Sequence, residues 1–185
     1  DIAGLKHPEM LFFEKGYGEV LGFSDEDYIN SGANIVSREE TLSKDIICDP
    51  KTGDSDYLGS LRNQTVFGWL HAVRNRDIAD KLINNRLTGI AWEDMYSDNR
   101  HVFWRNNEIA GEAAVMHAFQ CYGEMPYNTK VALIGKGNVG CGALKILTLL
   151  GADVTIYDRK TEALFKKELP LYDVVVNALL WDSSR

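Results

Sequence analysis

Residues 130–158 constrain this chain more than any other segment. Lys130-Val131-Ala132-Leu133-Ile134 is a buried-strand pattern that runs directly into Gly135-Lys136-Gly137-Asn138-Val139-Gly140, the spacing G-x-G-x-x-G. A helix follows, with Ala143, Leu144, Leu147 and Leu150 on its apolar side. Gly151-Ala152 ends it, and the run from Asp153 to Asp158 supplies a second strand. Strand, glycine turn, helix and strand in that order build a parallel βαβ unit.

Each part of the turn has a physical task. Gly135 allows the tight bend, Gly137 lets the backbone approach a pyrophosphate, and Gly140 lets the helix pack close to the strand. The helix N-terminus, at Asn138 and Val139, presents free N–H groups and a partial positive charge to the phosphates. Asp158 closes the second strand ~20 residues on, where a carboxylate accepts hydrogen bonds from a ribose diol. The full context, rather than the glycines alone, points to a nicotinamide dinucleotide. Asp158 favours NAD, because it repels a 2′-phosphate, and this tips the balance slightly. Arg159 and Lys160 follow at once and suit the 2′-phosphate of NADP, so both cofactors stay open.

The rest of the chain also alternates strand and helix. Met10 to Phe13, Ala33 to Val36, Asp45 to Cys48, Thr65 to Leu70 and Thr88 to Trp92 read as strands. Helices are expected after Ser24, over 38–44 and over 77–85, and one longer helix over 109–122. The fold class is therefore α/β: two Rossmann-like domains with parallel sheets separated by a cleft. We expect a substrate domain over 1–108, an interdomain helix and linker over 109–125, and the first half of a dinucleotide domain over 126–185. Tyr172 to Leu179 reads as a further strand of that second sheet, whose other half is not in this chain.

Composition narrows the partners. A net charge of −7 argues against nucleic acid, which needs a basic surface. No run approaches the ~20 apolar residues of a membrane helix. The three cysteines, Cys48, Cys121 and Cys141, lack metal-ligand spacing and read as reduced packing residues of a cytoplasmic protein. No metal site is expected.

Candidates for the chemistry lie at strand ends in the first hundred residues. His71 follows Gly68-Trp69-Leu70, where a parallel sheet presents its ligand edge, and an imidazole there can donate to a carbonyl or shuttle a proton. Lys51, in Asp49-Pro50-Lys51, follows another strand end and can pair with a carboxylate. Arg74 and Arg76 are weaker candidates for that task. Glu93 and Asp94 also follow a strand but read as a helix cap or surface pair. By position alone a single His after a strand is more often a surface or capping residue, and a loop Lys is usually solvated.

The residues resemble a known family at this point. Glu14-Lys15-Gly16-Tyr17-Gly18 with Gly22-Phe23-Ser24-Asp25-Glu26-Asp27-Tyr28 is similar to an early stretch of the alanine dehydrogenase and transhydrogenase family. Leu61-Arg62-Asn63-Gln64 followed by Gly68-Trp69-Leu70-His71, and Ile109-Ala110-Gly111, resemble two later segments. Tyr157-Asp158-Arg159-Lys160-Thr161 and Tyr172 to Asn177 add a likeness to its carboxyethylornithine synthases. The resemblance implies an oxidoreductase that condenses a 2-oxo acid, pyruvate, with the side-chain amine of ornithine or lysine and reduces the imine. It implies His71 as the substrate-facing histidine and, more loosely, Lys51 as the carboxylate grip, since the family lysine usually precedes the loop proline. Those synthases take the phosphorylated cofactor and lack an acid where Asp158 stands. Homo-oligomers of small-molecule enzymes are the family's habit. Alanine dehydrogenase, using ammonia, and a non-catalytic dinucleotide sensor are the rival readings.

Overall fold

Short β-rich runs alternate with helices in the first part of the chain, and its three α-helices are capped by Ser24, Ser37 and Asn75. In the computed structural model, which describes residues 2–179, strand β1 (Phe12–Glu14) pairs in parallel with β2 (Asn34–Val36). Helix α1 (Asp25–Asn30) follows β1 in the chain and is capped by Ser24, as its sequence predicts. The Ser24 hydroxyl accepts from the Asp27 N–H, and the Asp27 carboxylate accepts from the Ser24 N–H. This reciprocal cap satisfies donors that a helix start leaves open.

Helix α2 (Arg38–Leu42), capped by Ser37, leads to β3 (Ile46–Cys48). Strands β4 (Thr65–Gly68) and β5 (Thr88–Ala91) flank helix α3 (Arg76–Asn84), and β3, β4 and β5 form a parallel sheet in that order. Val66, on the central strand, is wholly buried and packs with Ile47, Leu58, Leu61, Leu70 and Ile78. Burial of each such side chain contributes about 1.5–3 kcal/mol.

Gly68 ends β4 where no side chain fits. A Cβ there would lie 2.0 Å from the Asp49 carbonyl oxygen. Gly68→Ala must push the loop after β3 off the sheet end, and is expected to destabilise by about 1–3 kcal/mol. A denaturant titration reads this directly; an unchanged midpoint would mean that the loop is not seated there.

The chain divides into two compact units, residues 1–95 and 96–185. The second opens on a hairpin that the sequence reading did not foresee, β6 (Tyr96–Ser97) with β7 (Arg100–His101). Its turn residues, Asp98 and Asn99, take φ of +50° and +60°, the left-handed pair that a tight hairpin demands. Helix α4 (Trp104–Tyr122) starts at Trp104 rather than Ile109. Its first turn has no apolar repeat and no side-chain cap; Arg105 instead pairs with Glu108 and Glu112 along the helix.

Strand β8 (Lys130–Ile134), helix α5 (Asn138–Leu149) and β9 (Asp153–Tyr157) form the βαβ unit expected from the glycine turn. Val131, Ala132 and Leu133 are all fully buried, so β8 is covered on both faces. Val115 and Phe119 of α4 pack in one core with Ala143 and Leu147 of α5. After helix α6 (Glu162–Glu168), strand β10 (Val174–Asn177) pairs with β8 on the edge opposite β9, giving the order β10-β8-β9. The direction of strand addition therefore reverses at β8, and open α/β sheets bind ligands outside the carboxyl ends of strands at such a point. Residues 180–185, which the sequence assigns to the first half of the dinucleotide domain, lie outside the described residues.

Among the described residues no helix is long and apolar enough to cross a membrane. The cysteines do not pack as expected: Cys48 and Cys121 are exposed and Cys141 is partly so.

Candidate functional site

In the first unit the relevant side chains follow three neighbouring parallel strands. Lys51 comes after β3, His71 after β4 and Glu93 after β5, all at the carboxyl edge of one sheet. Backbone bonds tie the first two segments together. The Asp49 N–H donates to the Phe67 carbonyl at 3.2 Å, Gly53 N–H to Trp69 carbonyl at 3.0 Å, and Trp69 N–H to Pro50 carbonyl at 3.4 Å. Thr52, fully buried, donates its hydroxyl to the Asp49 carbonyl at 2.7 Å. The Lys51 N–H donates to Asp49 Oδ1 at 2.8 Å, while its side chain stays exposed. Tyr57 donates its hydroxyl to Asp49 Oδ2; burial, followed by that carboxylate, pushes the Tyr57 phenol well above its ordinary range. Asp49 thus organises the loop and leaves Lys51 as its exposed cation.

His71 has φ of +55°, a left-handed conformation that non-glycine residues seldom adopt. Such backbone strain costs about 1–3 kcal/mol and persists only where the surroundings over-determine it. Here Glu93 holds it. One carboxylate oxygen, Oε2, accepts the Leu70 N–H at 3.1 Å, and the other, Oε1, accepts the His71 N–H in a short bond. Leu70 is buried, so its N–H would otherwise go unpaired, at a cost of about 1–3 kcal/mol. The His71 ring is half-exposed, with Nδ1 3.9 Å from Glu93 Oε1. It lies alongside the Trp69 ring at a centroid distance of 6.2 Å and an interplanar angle of 17°, and Trp92 meets Trp69 edge-on. Phe67 completes this aromatic face by meeting Trp92 at 5.4 Å.

Glu93 is the residue that sequence reasoning missed. Read as a cap or surface group, it instead accepts from backbone 22 and 23 positions earlier. Arg76 pairs with Asp80 along α3 at 2.8 Å. Asp94 is exposed, and Arg74 is exposed in the turn before α3.

The glycine turn of the second unit is tight at both ends and bare in the middle. Gly135 takes φ of +91°, and a Cβ on Gly140 would lie 2.3 Å from the Gly135 carbonyl oxygen. At Gly137 a Cβ would meet nothing within 4 Å, so open space lies where the backbone is bare. Gly137 also precedes α5 without any side-chain cap, which leaves the first N–H groups, at Asn138 and Val139, available to an anion. These residues fit a pyrophosphate.

Asp158 is more occupied than its sequence suggests. Its Oδ1 accepts the Lys160 N–H at 2.8 Å, the Thr161 N–H at 3.1 Å and the Thr161 hydroxyl at 3.1 Å. The Lys160 N–H first, then the Thr161 hydroxyl, hold its carboxyl below the usual carboxylate value. One oxygen serves the turn into α6, and Oδ2 takes no part in these three bonds. Arg159 and Lys160 are exposed beside it.

The family described as "Alanine dehydrogenase/PNT, N-terminal domain" matches residues 5–109. An N(5)-(carboxyethyl)ornithine synthase of Clostridium botulinum is 32% identical over 191 aligned positions, covering 94% of this chain and 60% of that protein. An alanine dehydrogenase of Staphylococcus haemolyticus is 28% identical, over 92% of this chain and 50% of that one. The chain thus spans about half to three fifths of the length of these relatives. A solved L-alanine dehydrogenase superposes with a TM-score of 0.62 at 26% identity, over 91% of this chain and 52% of its own. With a family match across more than half of its length, on a fold of parallel sheets, the chain belongs to the alanine dehydrogenase/PNT family.

Proposed function

We propose that the protein is a nicotinamide-dependent oxidoreductase that reductively condenses a 2-oxo acid, pyruvate, with the side-chain amine of ornithine or lysine. The observation that carries this reading is the placement of Lys51 and His71 at the carboxyl edge of one parallel sheet, in a chain that also holds an intact glycine turn. The likeness to carboxyethylornithine synthase supports the choice of amine. Residues 1–108 carry the substrate groups and residues 126–185 the cofactor groups in this reading, with 109–125 joining them.

Lys51, exposed on a braced loop, neutralises the carboxylate of the 2-oxo acid. His71 donates a hydrogen bond to its carbonyl or carboxylate oxygen and passes the proton that dehydration of the carbinolamine requires. Trp69 and Trp92 give the site an apolar wall that limits water. Gly135, Gly137 and Gly140, with the N–H groups of Asn138 and Val139, hold the pyrophosphate, and Asp158, Arg159 and Lys160 meet the adenosine ribose. The bound NAD or NADP supplies the hydride that reduces the imine carbon. Oδ2 of Asp158 suits the diol of NAD, whereas Arg159 and Lys160 suit the phosphate of NADP.

Mass spectrometry tests the reaction. Full-length protein given pyruvate, ornithine and reduced cofactor should form a product whose mass is the sum of the two substrates minus water plus two hydrogens. Cofactor deuterated at the transferring position should leave one deuterium in it. No such product from ornithine or lysine overturns the assignment of the amine. Lys51→Met separates binding from chemistry in the same assay: KM for pyruvate should rise about tenfold or more, the loss of one charge-assisted bond, with a smaller change in kcat. An unchanged KM would remove Lys51 from the site.

Alanine dehydrogenase activity is the second reading, favoured by the structural likeness to L-alanine dehydrogenase. It uses ammonia in place of the amino acid and the same residues otherwise.

A further inference from the structure

We propose that Glu93 is a positioning residue for His71, fixing the backbone that carries the histidine ring through two N–H groups of the same turn. The proposal rests on the assignment of His71 to the substrate, and its test is built so that the two can fail separately.

The chain leaves β4 at Gly68 and turns over Trp69, Leu70 and His71 toward α3. A turn that ends in a left-handed histidine points two consecutive N–H groups, of Leu70 and His71, to one side. Those donors have no strand to pair with, because the ladder to β5 ends at Gly68 opposite Ala91. Glu93 stands two residues beyond Ala91 and fills this gap with one oxygen for each N–H. A carboxylate is the group that fits: it is acceptor-only and carries two oxygens, so both bonds are charge-assisted. Glutamine offers one acceptor oxygen and sets an NH2 against the second N–H.

The same carboxylate also stands near the ring. His71 Nδ1 lies on the Glu93 side, at 3.9 Å from Oε1, and Trp69 lies alongside one ring face. The ring is therefore bounded on one edge and one face. Nε2 is left as the nitrogen that meets substrate. Glu93 touches no reacting atom in this account; it acts through His71.

A purely structural carboxylate would make the same bonds but would not depend on the histidine side chain. That difference is measurable by a double-mutant cycle in the full-length enzyme, with Glu93→Gln and His71→Asn made singly and together. Asparagine tolerates the left-handed backbone, so the second variant removes the imidazole without breaking the turn. Expected is a fall in kcat of about tenfold or more for Glu93→Gln, with the dinucleotide Kd unchanged. In the His71→Asn background the same substitution should cost nothing further in turnover, since groups that act as one unit are not additive. Glu93→Asp, which keeps two acceptor oxygens on a shorter stem, should recover part of the loss. It also replaces Glu93→Gln in the cycle if that variant does not fold. An equal fold-loss in both backgrounds, or full turnover in Glu93→Gln, overturns the proposal. Full turnover in His71→Asn alone would instead remove the histidine assignment on which it rests.

Discussion

His71→Asn is expected to lower turnover by about two to four orders of magnitude while leaving dinucleotide affinity unchanged. That range is what removal of a positioned acid–base group usually costs. The reasons lie in the geometry around the residue. The His71 ring is half-exposed at a sheet edge, alongside Trp69, and its backbone is held in a left-handed conformation. Strain of this kind is kept where the surroundings over-determine it, and here it presents a half-exposed imidazole at the sheet edge that the Lys51 loop also leaves. Asparagine is preferred to alanine as the replacement because alanine would add strain at φ of +55° and blur the reading. Steady-state kinetics with pyruvate and amine, alongside dinucleotide titration, check the two halves of the claim. A fall in dinucleotide affinity would place His71 elsewhere. Unchanged turnover would end its role in chemistry.

The second large effect separates two glycines of one turn. Gly140→Ala should destabilise the fold, because its Cβ would lie 2.3 Å from a backbone carbonyl that cannot move without reopening the turn. The expected cost is about 1–3 kcal/mol, with cofactor binding lost as a consequence. Gly137→Ala should do the reverse. Its Cβ meets no protein atom within 4 Å, so stability falls by no more than about 1 kcal/mol, the usual cost of alanine at a helix N-cap. The added methyl instead stands where the pyrophosphate must come close to the backbone. Dinucleotide affinity should drop on the order of tenfold or more, equivalent to about 1.4 kcal/mol. Thermal denaturation paired with calorimetric titration of NADH and NADPH reads both properties. Normal affinity in Gly137→Ala would mean that the N-terminus of α5 does not hold the phosphates.

These expectations rest on features of very different legibility. The βαβ unit was plain in the sequence because everything that makes it is contiguous: the apolar run of β8, the glycines and the helix follow one another. The reversal of strand order at β8 was not, since pairing of β10 with β8 rather than β9 is decided by packing between residues 43 positions apart. Helix α4 was placed too late because its first turn is held by Arg105 and two glutamates rather than by an apolar repeat. The β6–β7 hairpin had a readable signal in Asp98-Asn99, residues that tolerate positive φ.

At the site, Lys51 and His71 were found because each follows a strand end, which local pattern reveals. Glu93 follows a strand end as well, but its partners are backbone N–H groups on the neighbouring strand's exit. No local pattern encodes such a partner. The double duty of Asp158 could have been read from Thr161 three residues on, an arrangement in which an Asp side chain folds back on the following backbone. That turn takes one of its two carboxylate oxygens and so narrows what the residue offers a ribose.

The proposed reaction is a reductive condensation with a diamino acid, served by the substrate edge and the glycine turn. It is tested most directly by following the nicotinamide absorbance of the full-length protein with pyruvate and, in turn, ornithine, lysine and ammonia. NADH and NADPH are compared in each case. Oxidation that requires ornithine or lysine is the predicted result, and the preferred cofactor then shows whether Asp158 or Arg159 and Lys160 govern the ribose. Oxidation with ammonia alone would contradict the assigned amine and make the protein an alanine dehydrogenase. No oxidation with any amine, in a protein that binds the cofactor tightly, would contradict catalysis and favour a dinucleotide sensor.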